Sequence, residues 1–363
     1  MATTYLTLVN NVLNELNEPE LTSSTFSSSR GIQTSVKKFV LKAMHEVYNS
    51  LSEVPDLYLS TTQDTYAGQR TYSLPSSASP QSTDKAYRKI DWDTFRLVPK
   101  ELVTNGEFTS NITGWTTGDG TPSHSTSGNG RLNLNDAAAY QSISTVKNKT
   151  YRLQVRVMSP SSSTSTVAIK VGTTASGGEY LSTTQSVTNI GDGATLDTTF
   201  DATAQTSYIY FETASGVQLD IDYVRISENI GIKKLKYITY DDWQNRYLET
   251  DLSNTSSSQG TPDYVYHTQD KKFGLSPVPN QDTYTIQYEY WQVHTDLSAH
   301  GDTMDLDDRF KDVIITKAKY YAYVLRSDPQ AAAMSVKEYD NQLQALRSEY
   351  INTKTYMRDT RVN

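Results

Sequence analysis

Five histidines, His45, His124, His267, His294 and His300, are the side chains best suited to acid–base or metal chemistry, yet no two stand at ligand spacing. Surface or hydrogen-bonded histidine is the expectation for each, and His45 falls on a helix rich in charge. Asp220 and Asp222, two apart on an expected strand, share one face as paired acids could, but no basic or nucleophilic partner accompanies them in sequence. There is no cysteine, which removes disulfides, thiolate metal sites and a cysteine nucleophile. No Gly-rich loop leads into a helix with lysine, and no Gly-X-Ser-X-Gly elbow is present. The chemistry-bearing residues predict no enzyme.

The rest of the composition points the same way. Hydrophobic residues make up 36% of 363, and 26 tyrosines take many positions where a core aliphatic would otherwise sit. The net charge of −8 comes without a basic patch to grip phosphate. No apolar run approaches the ~18 residues of a membrane span. The N-terminus lacks the basic start and apolar core of a signal peptide. The expectation is a soluble chain made in the cytoplasm, with the Asn-X-Ser/Thr triplets at Asn111, Asn148 and Asn254 arising by chance.

The elements that must position any site are legible from periodicity. Helices are expected at about 3–17, 30–52, 306–326 and 329–356. The first carries Leu6, Val9, Val12, Leu13 and Leu16, and the second Ile32, Val36, Phe39, Val40, Ala43, Val47 and Leu51. Asp305 is expected to cap the third, whose stripe is Leu306, Phe310, Val313, Ile314, Lys317, Tyr321 and Leu325. Asp328-Pro329 ends it and starts the fourth, with Ala332, Val336, Tyr339, Leu343, Leu346 and Tyr350 in its stripe. This predicts a helical bundle built from both chain ends. A small antiparallel β part is expected from the alternation at Tyr66–Pro75, Lys236–Ile238, Tyr264–Tyr266, Lys272–Leu275 and Tyr284–Trp291. The fold class is α+β.

Residues 102–228 are a different material. They hold 12 of the 18 glycines but 7 of the 33 Lys and Arg residues, and short strands recur at regular spacing. The pattern predicts an all-β sandwich at 101–228, inserted between 1–100 and 229–363, since the two ends of a domain lie close together on its surface. A low-complexity linker is the bland alternative, and the strand alternation argues against it.

Two resemblances follow from particular residues. The opening Leu102-Val103-Thr104-Asn105-Gly106-Glu107-Phe108 with Gly114-Trp115, and the closing Leu219 to Ile226, resemble the first and last strands of carbohydrate-binding jelly rolls. That resemblance implies a structural calcium between Glu107 and Asp222, and exposed aromatics as sugar platforms, for which Trp115, Tyr140 and Tyr180 are available. Solvated surface acids are the alternative to the ion, and Trp115 also suits the core. Outside the insertion, Leu8 to Glu18, the long second helix, Thr71 to Pro75, Tyr284 to Trp291, Phe310 to Tyr323 and Ala332 to Tyr350 stand in the order that resembles bacteriophage head-to-tail adaptors of the tail tubular protein A type. Asn17-Glu18 stands where that family often has Gly-Glu.

The adaptor resemblance implies a virion protein of the neck, a dodecameric ring that joins the portal protein to the tail nozzle and lets DNA pass without specific binding. It implies portal docking by the C-terminal segment, here Tyr350, Lys354, Met357, Arg358 and Arg361. No cofactor and no membrane contact are expected. The rival reading is a glycan-binding receptor or tail-fibre-associated protein acting through the β-sandwich, and an enzyme with an appended binding module is a third.

Overall fold

A computed structural model of the chain describes residues 3–51, 53–76, 86–160 and 164–355, with side chains as far as 349. The chain opens with α1 (Tyr5–Glu15) and α2 (Ile32–Ser50), then β1 (Tyr58–Asp64), β2 (Thr71–Ser73) and β3 (Tyr87–Pro99). Ten strands follow: β4 (Thr116–Asp119), β5 (Ser123–Ser125), β6 (Arg131–Asn135), β7 (Ala138–Ser144), β8 (Lys149–Met158), β9 (Ser165–Gly172), β10 (Leu181–Val187), β11 (Gly193–Ala202), β12 (Thr206–Thr213) and β13 (Gln218–Glu228). The chain closes with β14 (Lys233–Lys234), β15 (Lys236–Tyr237), α3 (Tyr240–Arg246), α4 (Leu248–Ser253), β16 (Tyr264–His267), β17 (Lys272–Ser276), β18 (Tyr284–Gln292), α5 (Lys311–Leu325) and α6 (Pro329–Thr355). No helix among the described residues is long and apolar enough to cross a membrane.

Helices from both ends of the chain share one hydrophobic core. Leu8, Val9, Val12 and Leu13 of α1 meet Val36, Val40, Ala43, Met44 and Val47 of α2, together with Ile314, Ala318 and Ala322 of α5 and Leu343 and Leu346 of α6. Lys317 of α5 reaches Glu46 of α2 at 3.2 Å and places its Nζ 4.5 Å from the ring centroid of Tyr339 on α6, so one cation joins three helices. Its stem lies in the apolar seam, as amphipathic side chains do. α1 ends in a Schellman motif: Asn17 N–H donates to Asn14 O and Glu18 N–H to Leu13 O. Asn17 sits at φ 54°, the left-handed region that asparagine tolerates when glycine is absent.

Two expectations about α5 are corrected. Asp305 does not cap it, because its carboxylate accepts from Thr295 N at 2.7 Å. The helix is entered instead through a 3₁₀ turn, Asp308–Phe310, where Asp307 Oδ1 accepts from Arg309 N at 2.9 Å. Leu325 leaves the buried stripe and is exposed. Asp328 holds the start of α6, accepting from Ala331 N at 3.0 Å with Pro329 in the first helical position.

Two sheets make the remaining part of the host. One runs β1-β18-β3-β14 and the other β15-β16-β17-β2. On β18 the alternation works as a half-buried strand requires, with Tyr284, Ile286, Tyr288 and Tyr290 all buried. The sheets meet through aromatic rings: Phe95 lies 4.4 Å from Tyr288, nearly parallel, and Phe273 stands edge-on to both at 5.4 and 5.5 Å. Tyrosine thus fills positions of a core that is poor in aliphatics.

The inserted stretch folds into two five-stranded sheets, β10-β9-β12-β7-β4 and β11-β8-β13-β6-β5, with antiparallel pairing throughout. Between them lies a separate core that includes Leu153, Val155, Ile169, Ile209, Phe211, Leu219 and Ile221, giving a jelly-roll-like sandwich. Its two ends sit side by side. Leu102 N–H donates to Ile226 O at 2.8 Å, and Glu101 Oε1 accepts from Ile226 N at 2.8 Å. Burial is the main cause that raises the Glu101 carboxyl above its ordinary pKa. Glu228, the last residue of β13, is buried and accepts from Gln281 Nε2 and Thr283 Oγ1 of the host, each at 2.6 Å, and lies 3.0 Å from Lys149 Nζ.

Candidate functional site

The outer face of the sheet β10-β9-β12-β7-β4 carries the arrangement best suited to a ligand. Along β12 the side chains alternate: Ile209 and Phe211 enter the core, while Tyr208, Tyr210 and Glu212 take the opposite face. Register sets Tyr140 of β7 directly across from Tyr210, and Lys170 of β9 across from Tyr210 on its other side. The rings of Tyr140 and Tyr208 are 6.2 Å apart on the diagonal, within reach of aromatic side chains on neighbouring strands.

Lys170 Nζ is 5.3 Å from the Tyr210 ring centroid and 3.2 Å from Glu212 Oε2. Burial, then the Glu212 charge, raises the Tyr210 hydroxyl pKa, so it stays a protonated donor. Gly118 on β4 permits this packing, since a Cβ there would come within 3.0 Å of Tyr210 Cε2. Tyr140 and Tyr208 are partly exposed there and can stack on a flat apolar ring face, with Lys170 and Glu212 beside them to hydrogen-bond its hydroxyls, while Tyr210 is only 7% exposed beneath Lys170.

The three aromatics singled out in sequence are not one platform. Tyr140 stands on this face. Trp115 packs at the edge of the sandwich core, 5.5 Å from Phe108 and 5.6 Å from Phe211, with Nε1 donating to Asn105 O. Tyr180 lies parallel to Phe200 at 6.2 Å and its hydroxyl meets Thr203 Oγ1 at 3.0 Å. Sequence reasoning missed Tyr208 and Tyr210, although their alternation with Ile209 and Phe211 in the run Thr206–Thr213 was the available signal.

The two carboxylates of the expected calcium site have separate partners. Glu107 Oε1 accepts from Arg225 Nε at 2.8 Å, and Asp222, at a bulge in β13, lies 3.2 Å from Arg131 Nε and 3.7 Å from Arg156 Nε. Guanidinium groups therefore supply the positive charge that a cation would bring, and the donor set of these two acids does not fit an ion in this arrangement. Arg131 also corrects the reading that Asp220 lacks a basic partner: its Nη1 is 3.7 Å from the buried Asp220, which accepts from Asn133 as well. Of the expected portal-docking residues, Met357, Arg358 and Arg361 lie outside the described residues, as do the side chains of Tyr350 and Lys354 on the last turns of α6. Two histidines 249 positions apart, His45 and His294, are brought into contact.

Comparison with known proteins resolves the two parts of the chain. Residues 177–362, just over half of it, match the family described as SU10 adaptor protein. The chain belongs to the SU10 adaptor protein family. In this adaptor-family chain, residues 100–218 also match the family described as carbohydrate binding domain, so the two matches overlap within the sandwich. Among solved structures, the N-terminal cellulose-binding domain of a Cellulomonas fimi β-1,4-glucanase is 19% identical. That match covers 36% of this chain and 98% of the other, with a TM-score of 0.30. A structure titled for CBM4 structure and function is 15% identical over 35% of this chain and 99% of its own, with a TM-score of 0.28. Tailspike protein 4 of bacteriophage CBA120 is 18% identical over 35% of this chain and 21% of its own, with a TM-score of 0.27. No curated protein gives a significant match.

Proposed function

We propose that this protein is a structural head-to-tail adaptor of a bacteriophage virion. Its copies form a dodecameric ring between the portal protein and the tail nozzle and extend the DNA channel. The observation that carries this reading is the match of residues 177–362 to the adaptor family. The helices of both chain ends act together as one bundle, the ring-forming body, and residues 101–228 are an added domain seated on it. Two features support that division. The sandwich has its own core, and its entry and exit strands are hydrogen-bonded to each other, so the addition leaves the host continuous. Side-by-side contacts between different faces close such a ring by rotation. A net charge of −8 suits a channel through which DNA slides without being held. The protein catalyses no step and needs no cofactor in this account.

Portal docking is assigned to the end of the chain, from Tyr350 through Lys354, Met357, Arg358 and Arg361. The test is co-purification of the full chain with its portal protein, compared with a chain lacking 357–363. The truncated chain should keep its fold and lose the portal. Retained binding would sink the assignment.

A second reading rests on the carbohydrate binding domain match and the tyrosine face. The sandwich binds a saccharide on Tyr140 and Tyr208, and the adaptor carries this module on the outside of the neck. Affinity electrophoresis in polysaccharide gels should show retardation that Tyr208→Ala reduces. Unretarded migration across a panel of surface glycans would leave the sandwich as a decoration.

A further inference from the structure

His45 leaves α2 toward the segment that follows β18, where His294 and Asp296 stand. His45 Nδ1 is 3.1 Å from His294 Nε2, His45 Nε2 is 3.2 Å from Asp296 Oδ1, and His294 Nε2 is 3.6 Å from the same oxygen. Tetrahedral zinc, with metal–ligand distances of about 2.0–2.1 Å, sets its ligands roughly 3.3 Å apart. The 3.2 and 3.6 Å separations at Asp296 Oδ1 lie close to that value, and with one donor atom taken from each residue all three fall within 4.8 Å of one another. Among the described residues this is the one group of three or more histidine, aspartate or glutamate side chains with donor atoms close enough to share an ion.

The setting is built rather than incidental. Tyr48, one turn beyond His45 on α2, stacks on His294 with ring centroids 4.5 Å apart and planes within 5°. This stacking fixes the largely covered imidazole, and the His45 ring meets it edge-on at 4.8 Å. Asp305 adds a carboxylate nearby, accepting from Thr295 N between the two loop ligands. Arg88 donates to the carbonyls of Tyr48 and Asn49. Asp296 is largely exposed while His294 is covered, so Asp296 stands on the solvent side of the group.

We infer that His45, His294 and Asp296 form a site for a borderline divalent cation, zinc in the first instance, completed by water. Two imidazoles and one carboxylate suit zinc, cobalt or nickel over calcium or magnesium, which want oxygen alone. The ion would rivet the N-terminal helical layer to the connection between β18 and α5. A clip across 249 residues closes a long loop, which is where such a constraint gains most in principle.

The test uses the full-length chain without a histidine tag, stripped with EDTA and titrated with zinc chloride in a calorimeter, with cobalt(II) as an optical probe. The expected result is one zinc per chain, visible absorption from tetrahedral cobalt, and a melting temperature raised by zinc. Asp296→Asn should weaken binding by at least about tenfold and His45→Ala should abolish it. Both side chains are partly exposed, so both variants should fold, and their unliganded melting temperatures check this. No saturable uptake by the wild-type chain would overturn the site. Uptake unchanged in both variants would place the metal elsewhere and overturn it equally.

Discussion

The sandwich is tied to the host by one buried carboxylate, and the strength of that tie can be worked out. Glu228 is 2% exposed and has two neutral donors from the host, Gln281 Nε2 and Thr283 Oγ1, both at 2.6 Å. Lys149 Nζ, at 3.0 Å, comes from the sandwich itself and is 40% exposed, so much of its charge is screened by water. Thr283→Val removes one host donor while keeping the shape of the side chain and the backbone bond from Lys100 N to Thr283 O. A hydrogen bond to a charged group is worth about 1.5–3 kcal/mol. Because the variant leaves no cavity, that is the whole expected loss. At about 1.4 kcal/mol per factor of ten, the amides that bond across the junction should exchange roughly 10- to 150-fold faster. Hydrogen exchange read by mass spectrometry on peptides covering 98–104 and 224–232 measures this directly. Exchange within twofold of wild type would mean that the hydroxyl does not hold the carboxylate, and the rigid junction would be refuted.

Three further outcomes follow from single residues. Leu346→Ala, at a fully buried position where α6 meets the other helices, should cost about 2–5 kcal/mol in urea unfolding, and a loss under 1 kcal/mol would contradict the shared core. Asn17→Ala leaves a β-carbon in the left-handed region at the end of α1 without the local bonding by which asparagine tolerates it, and should lower stability by up to about 1 kcal/mol. Glu101 has a folded pKa raised by burial, so its contribution is fully present below the unfolded carboxyl's pKa and is lost as pH rises through the folded value. Glu101→Gln, which keeps an acceptor for Ile226 N, should therefore gain on wild type from acid to neutral pH in thermal melts, and a constant difference across that range would refute the assignment.

How far the sequence reached depended on what kind of force placed each residue. Strand β18 was legible because one face is wholly buried, so Tyr284, Ile286, Tyr288 and Tyr290 had to alternate with polar residues. The edge strands β10 and β11 were not, since Ser, Thr, Asp and Gln fill positions that an edge leaves half covered. The entry to α5 was misassigned for a different reason. Asp302, Asp305, Asp307 and Asp308 are equally good caps in sequence, but Asp302 serves Ser298 and Ala299, Asp305 serves Thr295 and Asp308 serves Thr3. Only Asp307 remains for the first turn. Tertiary contacts made that choice.

The candidate site was legible only in outline. A carbohydrate-binding type of sandwich was readable from Leu102–Phe108 and Leu219–Ile226, yet which aromatics face outward depends on strand register. That register sends Trp115 toward Phe108 and leaves Tyr208 and Tyr210 with Tyr140. The pairing of His45 with His294 had no local signal at all, because it is made by the packing of α2 against the end of β18.

The most direct test of the adaptor account is immunogold labelling of intact particles with an antibody against residues 101–228. The account predicts gold at the neck, between capsid and tail, with the sandwich exposed on its outside. Gold at fibre ends or at the tail tip, with the neck bare, would contradict it.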